Sequence, residues 1–328
     1  MDDARIARLA REYRRFSAQD TPGRSALYTE LTRQIAEDRE LLEIMCELDP
    51  PKRQPNLLLA AVRHLYGDFA RDWPQFRKRF FDRREEVLKI IRTHRTQTNE
   101  PARCALLLPV LASLPQPLAL LEVGTSAGLC LLPDRYGYDY GAGRRLGSAG
   151  ATGPGPVFRC QVDDATPVPD ALPEVVWRTG LDLSPIDITD PDSVAWLESL
   201  VWPGERDRIG TLRAAIAVAR ADPPRVVAGD LRHDLAALAA QAPADATLVV
   251  FHTAVLGYVR DPADRRRFAE TVRSVGARWV ANESPGIVEL EQPPPVGAAP
   301  AGEILLSLDA EPLAWADPHG AWLKWLGR

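Results

Sequence analysis

Along the first 97 positions, apolar residues recur at steps of three and four. Ile6, Leu9, Tyr13 and Phe16 fall on one face of a helix. A second helical segment runs over 24–35. A third carries Leu41, Leu42, Met45 and Leu48 and stops at Pro50-Pro51. Leu57, Leu58, Ala61, Val62 and Leu65 mark a fourth, which ends near Gly67, and Val87, Leu88 and Ile91 mark a fifth. No stretch alternates as a strand does, so residues 1–97 read as an all-helical domain. Its aromatics (Tyr66, Phe69, Trp73, Phe76, Phe80, Phe81) read as bundle core.

The pattern changes after Asn99, which reads as the N-cap of an apolar helix over 104–111. Leu118–Val123 is a short continuous apolar run, as expected of a buried parallel strand. Similar runs follow at Val175–Trp177, Arg225–Ala228, Thr247–Phe251 and Arg278–Ala281. Helical patterns such as Ile209–Ala219 and Asp264–Val275 separate them. Strand–helix alternation predicts an α/β class, a mostly parallel doubly wound sheet over 98–328. Two segments break the rhythm. Residues 141–156 hold six glycines and two prolines and read as a loop or lid. Residues 284–302 form a second long, Pro-rich, non-helical connection.

The length of 328 residues is ample for a core without disulfides, and 26% charged residues is ordinary for a globular chain. No apolar run approaches a membrane span. The charged N-terminus lacks the apolar run of a signal peptide, so a cytoplasmic location is expected. Net charge is −5, which disfavours nucleic acid as the main partner. Residues 1–95 carry 20 basic and 16 acidic groups, a net of +4, leaving −9 for the rest. That asymmetry reads as a solvated helical face. Cys46, Cys104, Cys130 and Cys160 form no C-x-x-C pair, and the five histidines form no H-x-x-x-H pair, so no metal site is expected. The pattern leaves the oligomeric state open.

The most informative stretch is Glu122-Val123-Gly124-Thr125-Ser126-Ala127-Gly128. Its G-x-x-x-G spacing is neither the dinucleotide fingerprint nor a phosphate loop. Gly124 permits a tight turn, Gly128 lets the next segment approach the strand, and Glu122 suits an ammonium better than a pyrophosphate. This arrangement resembles the first motif of class I S-adenosylmethionine-dependent methyltransferases. The resemblance implies a Rossmann-like sheet ending in an antiparallel hairpin, matched by Glu303–Leu308 and Leu313–Ala316 with a turn at Asp309–Glu311. It implies that Glu122, Gly124, Thr125, Ser126, Ala127 and Gly128 hold the cofactor's amino-acid end. Asp182, with Leu183, matches the ribose-binding acid; Asp230 and Leu231 follow the third strand; Phe251 lies on the fourth. The gap from Gly124 to Asp182 is 58 residues, against about 20 in a dinucleotide fold. The preferred reading is an insertion near 141–174, with Asp139 as the alternative ribose ligand. The chain also resembles, over nearly its full length, an uncharacterised bacterial family known only as a domain of unknown function. The shared segments are the glycine turn, Asp134–Gly141, Asp182–Asp190 and Phe251–Leu256.

His252 is the first polar residue after the fourth apolar run, where a ligand crevice opens. It reads as a general base or as a histidine tied by both ring nitrogens. Tyr258 and Glu283 are the other candidate catalytic residues. Arg135, Tyr138, Asp139, Tyr140 and Asn282 are candidate substrate contacts. The expected function is therefore an S-adenosylmethionine-dependent transferase, a methyltransferase on a small molecule. The rivals are a non-catalytic methyltransferase-like binding protein, which a blocked glycine turn would mark, and a nucleic-acid methyltransferase. The acidic second domain and the lack of an Asn-Pro-Pro-Tyr-type motif weaken the last.

Overall fold

The computed structural model of the chain describes residues 3–97, 99–147, 155–294 and 303–327. They form two compact units. One is Met1–Thr98 with Thr189–Gly210, and the other is Asn99–Ile188 with Thr211–Arg328. Sequence pattern alone assigns 189–210 to the sheet domain. The structure places that segment with the helices.

The helical unit contains α1 (Asp3–Gln19), α2 (Ala26–Ile35), α3 (Arg39–Glu47), α4 (Pro55–Tyr66), α5 (Trp73–Asp82), α6 (Arg84–Thr93) and α8 (Pro191–Ser199). Short polar side chains start several of them. Ser25, Asp38 and Asp72 accept the N–H groups of Tyr28, Leu41 and Gln75, satisfying donors that a helix start leaves free. Gly67, at φ 76°, ends α4. The apolar faces meet in one core that includes Tyr13, Ile35, Leu41, Leu58, Phe80 and Ile91. Trp196 and Trp202 of the returning segment join it. The helix α5, between the fourth and fifth helices expected from the pattern, is an addition. It buries only Phe76 and Phe80, too thin a stripe to read beside its charges.

The second unit begins with α7 (Cys104–Ser113) and β1 (Leu118–Val123). Then come β2 (Gly137–Asp139), β3 (Arg145–Leu146), β4 (Val157–Arg159) and β5 (Gln161–Val162). The remaining strands are β6 (Val175–Asp182), β7 (Arg225–Ala228), β8 (Thr247–Thr253), β9 (Arg278–Glu283), β10 (Ile304–Leu308), β11 (Glu311–Ala316) and β12 (Trp322–Trp325). The helix α9 (Arg206–Ala221) precedes β7, α10 (Leu235–Ala239) precedes β8, and α11 (Pro262–Ser274) precedes β9.

The main sheet runs β5-β12-β11-β10-β9-β8-β1-β6-β7. Its strands from β7 to β9 are parallel. Chain order reverses between β1 and β8, which makes their carboxyl ends the switch point of a doubly wound sheet. The antiparallel end is a meander from β9 through β12, with a two-residue turn at Asp309 and Ala310, both at positive φ. The region expected as an insertion, 141–174, supplies β3 and β4, which flank β2 in a small sheet β3-β2-β4, and β5, which pairs with β12. The expected loop or lid over 141–156 and the connection over 284–302 fall partly outside the described residues. No helix among the described residues is long and apolar enough to cross a membrane.

Register decides what each strand end presents. Glu122 lies beside Phe251, His252 beside Ala281, and Thr253 beside Asn282. Neighbours in register share a face, and successive residues alternate. Glu122, Thr253, Asn282 and Asp182 therefore share one face. His252 and Glu283 lie on the other, whose core includes Phe268 and Val272 of α11 together with Leu121, Val123 and Leu181.

Candidate functional site

The turn after β1 is held by backbone N–H groups that donate to the end of β6. Gly124 sits at φ 72°, and its N–H donates to the Leu181 carbonyl at 2.7 Å. Ser126 is at φ 53°, a conformation L residues avoid. Its N–H donates to Asp182 Oδ2 at 2.8 Å, and the Ser184 N–H donates to Asp182 Oδ1 at 2.8 Å. Asp182 thus stands at the end of β6, next to the glycine turn. Asp139, by contrast, lies in the small sheet and pairs with Arg145. Asn99 does not cap a helix. Its Oδ1 accepts the Ala127 N–H at 3.0 Å and its Nδ2 donates to Ser126 Oγ at 2.8 Å. Glu100 is the cap instead, accepting the Ala102 N–H. An Asn before a helix pattern signals a cap; its use across the fold leaves no local trace.

Each glycine here answers to a neighbouring side chain. A Cβ on Gly180 would fall within Thr125, and one on Gly128 would meet Pro224 at 2.9 Å. A Cβ on Gly124 would lie 2.7 Å from one Val255 methyl and closer still to the other. Val255 follows β8, so its isopropyl group occupies the space directly over the glycine turn. Ala254, just before it, is at φ 56°. Two non-glycine residues with positive φ, Ser126 and Ala254, thus stand at the carboxyl ends of the two switch-point strands.

Glu122 is buried, and Thr125 Oγ1 donates to its Oε2 at 2.5 Å. Thr125 is thus its internal partner at the glycine turn. Burial pushes its carboxyl up to about 8, while the Thr125 bond opposes the rise. In the unfolded chain the group ionises near 4.5. Below that value both states hold the proton, and the group does not affect stability. Between the two values unfolding releases a proton, so stability falls as pH rises, by up to about 1.4 kcal/mol per unit. Glu122→Gln is expected to remove this slope. Urea midpoints of both proteins between about pH 5 and about pH 8 check it: parallel curves would refute the assignment.

On the other face, His252 is 0% exposed. The Trp279 Nε1–H donates to its Nε2 at 2.9 Å. An indole N–H only donates, so Nε2 accepts and the proton sits on Nδ1. Nδ1 in turn donates to Glu283 Oε1 at 2.7 Å. The same oxygen accepts the N–H groups of Val255 at 2.7 Å and Leu256 at 2.9 Å. Three donors hold the Glu283 carboxyl below its usual range against the opposing effect of burial, with His252 the strongest of them. Both ring nitrogens of His252 are engaged, which is the alternative to a general base. Its position depends on Trp279, a partner on another strand that the apolar run before His252 does not reveal.

The remaining expected residues divide. Leu183 and Tyr258 are exposed, at 65% and 70%, beyond the ends of β6 and β8. The Asp230 carboxylate is paired with Arg232, and Leu231 packs on the core beneath α10 and α11. Phe251 is buried within the sheet. Asn282 is wholly buried, and neither its amide nitrogen nor its oxygen has a hydrogen-bond partner. Beside it, Thr253 accepts both at its carbonyl and at its hydroxyl from buried Arg103, at 3.1 Å each. The expected substrate wall is corrected. Tyr138 and Tyr140 are buried, and their hydroxyls donate at 2.7 Å to the carbonyls of Pro133 and Ala105. Arg135 pairs on the surface with Asp222. These rings are core whose phenols satisfy buried backbone.

The fold and site define a doubly wound α/β unit with a glycine turn at its switch point, accompanied by a helical unit. The sequence model of a family described as "uncharacterized protein conserved in bacteria (DUF2332)" matches residues 10–325, and the chain belongs to that family. No curated protein and no solved structure matches the chain.

Proposed function

We propose that the sheet unit binds S-adenosylmethionine at the carboxyl ends of β1 and β6 and transfers its methyl group to a small molecule. The observation that carries this reading is Asp182. It ends the strand next to β1, beside the glycine turn, and each of its oxygens takes one backbone N–H. A carboxylate accepts about four hydrogen bonds, so two places remain for ribose hydroxyls. The turn and Asp182 would hold the cofactor, whose sulfonium would supply the methyl group. Exposed Leu183 and Tyr258 would offer apolar contact at the rim, and the unpartnered amide of Asn282 is a polar group in need of a bond. In this reading His252 is a positioning residue. Through Glu283 it fixes the backbone that carries Val255.

Calorimetry with S-adenosylmethionine and S-adenosylhomocysteine tests the proposal. We expect saturable binding by the full chain, and a loss of about 1–3 kcal/mol with Asp182→Ala, roughly 5- to 150-fold. Absence of binding at about millimolar ligand, some −4 kcal/mol, would refute it.

A second reading rests on Val255. A side chain over Gly124 is the blocked turn that marks a methyltransferase-like protein without the cofactor. Val255 variants separate the two readings.

A further inference from the structure

The helical unit brings together three residues from distant parts of the chain. His64 lies on α4, His94 directly follows α6, and Asp192 lies in the first turn of α8. One ligating atom from each falls within 4.8 Å of the others. His64 Nε2 stands 3.2 Å from Asp192 Oδ1. Two ligands on one tetrahedral zinc ion, at bonds of about 2.0–2.2 Å, stand roughly 3.3 Å apart.

A further observation points to an ion rather than to a simple ion pair. His94 Nδ1 lies 3.1 Å from the Ile90 carbonyl. A carbonyl only accepts, so Nδ1 carries the proton and Nε2 keeps its lone pair. Metal-bound histidines are held in this way by their second nitrogen. His64 Nδ1 is buried and has no hydrogen-bond partner, although the His64 side chain is only 9% exposed. That nitrogen lies on the side of the ring away from Asp192, which leaves Nε2 to face the cluster. Trp196, on α8, lies 4.5 Å from the His94 ring and 5.6 Å from the His64 ring, forming an apolar wall. The Lys52 ammonium, bound to the His94 carbonyl at 2.5 Å, opposes a cation and lowers its affinity.

We propose that His64, His94 and Asp192 form a binding site for one divalent transition-metal ion, of the zinc, cobalt or nickel type. Two imidazoles and one carboxylate suit these ions better than magnesium or calcium, which take oxygen. Three protein ligands would leave a position for water, and the Asp192 side chain is 72% exposed. The ion would tie α8, which returns from a later part of the chain, to α4 and α6. Its first role is therefore to fasten this segment within the helical unit.

The test is titration of the metal-stripped full chain with Co²⁺, followed by visible absorption, and with Zn²⁺ by calorimetry. One saturable equivalent is expected, with Zn²⁺ displacing Co²⁺ and raising the melting temperature. Asp192→Asn and His94→Gln are each expected to weaken binding by roughly tenfold or more, the scale seen even for indirect ligand partners. Asp192 is exposed, so its variant is expected to fold even if changes at His64 do not. No saturable equivalent, or affinity unchanged in both variants, would overturn the proposal and leave an ion pair packed on Trp196.

Discussion

Glu283→Ala is expected to lower the unfolding free energy by about 3–5 kcal/mol. A single oxygen, Oε1, accepts from His252 Nδ1, from the Val255 N–H and from the Leu256 N–H. Truncation leaves these three donors unpaired in a buried site, each at a cost of about 1–3 kcal/mol, with partial relief from entering water. The melting temperature should fall by roughly 10 °C in a unit of this size. Glu283→Gln retains one acceptor oxygen and should lose less. The two variants also differ from wild type in acid. The depressed carboxyl of Glu283 contributes stability above its unfolded value of about 4.5 that is lost as pH falls. Both variants lack that acid limb. The trend is opposite to that of Glu122, which weakens the fold as pH rises. Urea titration with a loss below about 1 kcal/mol for Glu283→Ala would show that the network is dispensable. A catalytic role for His252 predicts a stable Glu283→Ala protein that has lost turnover alone, which the same preparation would reveal.

The central sheet was legible because a strand buried on both faces reads as an unbroken apolar run. Leu118–Val123, buried throughout, matches β1 at both ends; Arg225–Ala228 matches β7 as well, although that strand is the partly exposed edge of the sheet. The runs at Thr247 and Arg278 stopped two residues early, because the last pairs of β8 and β9, His252-Thr253 and Asn282-Glu283, are polar. A polar residue at a strand end reads as a rim residue, yet these four are buried. Which of them faces which layer follows from register between strands, and a single strand carries no such information. The same limit explains Asn99, whose partners lie in the glycine turn, and Arg103, whose partners lie at Thr253 and Pro318. Tyr138 and Tyr140 were misread for a related reason. A ring with a polar tip suits both a substrate wall and a core, and only the position of a backbone carbonyl distinguishes them. His64, His94 and Asp192 obey no spacing rule, because three separate elements present them. The position of Asp182 at the end of β6 was legible because the acid follows a recognisable strand, and the interposed small sheet alters the count of residues but not the strand it ends.

Gly124→Val is expected to cost about 2–5 kcal/mol and to abolish any ligand binding at the turn. Two terms add. A β-branched residue at φ 72° is held in the left-handed region, at roughly 1–2 kcal/mol. Its Cβ also enters the Val255 side chain, and overpacking of this kind costs about 1–3 kcal/mol. Val255→Ala in the same chain should recover the second term and not the first, giving a coupling of about 0.5–3 kcal/mol in a double-mutant cycle. Additive losses would mean that the two residues do not meet. Val255→Ala alone then decides between the two readings of the site. If Val255 is a gate over a ligand seat, removing two methyl groups should tighten S-adenosylmethionine binding several-fold, since the ligand no longer has to displace them. If Val255 is packing over a turn that holds nothing, the variant should show only the cost of deleted methyl groups, about 1–2 kcal/mol, and no binding appears. Calorimetry and urea titration on one preparation read both quantities. A destabilised protein that still binds nothing would retire the cofactor and retain the glycine turn as architecture, with Gly124 required because Val255 lies against it.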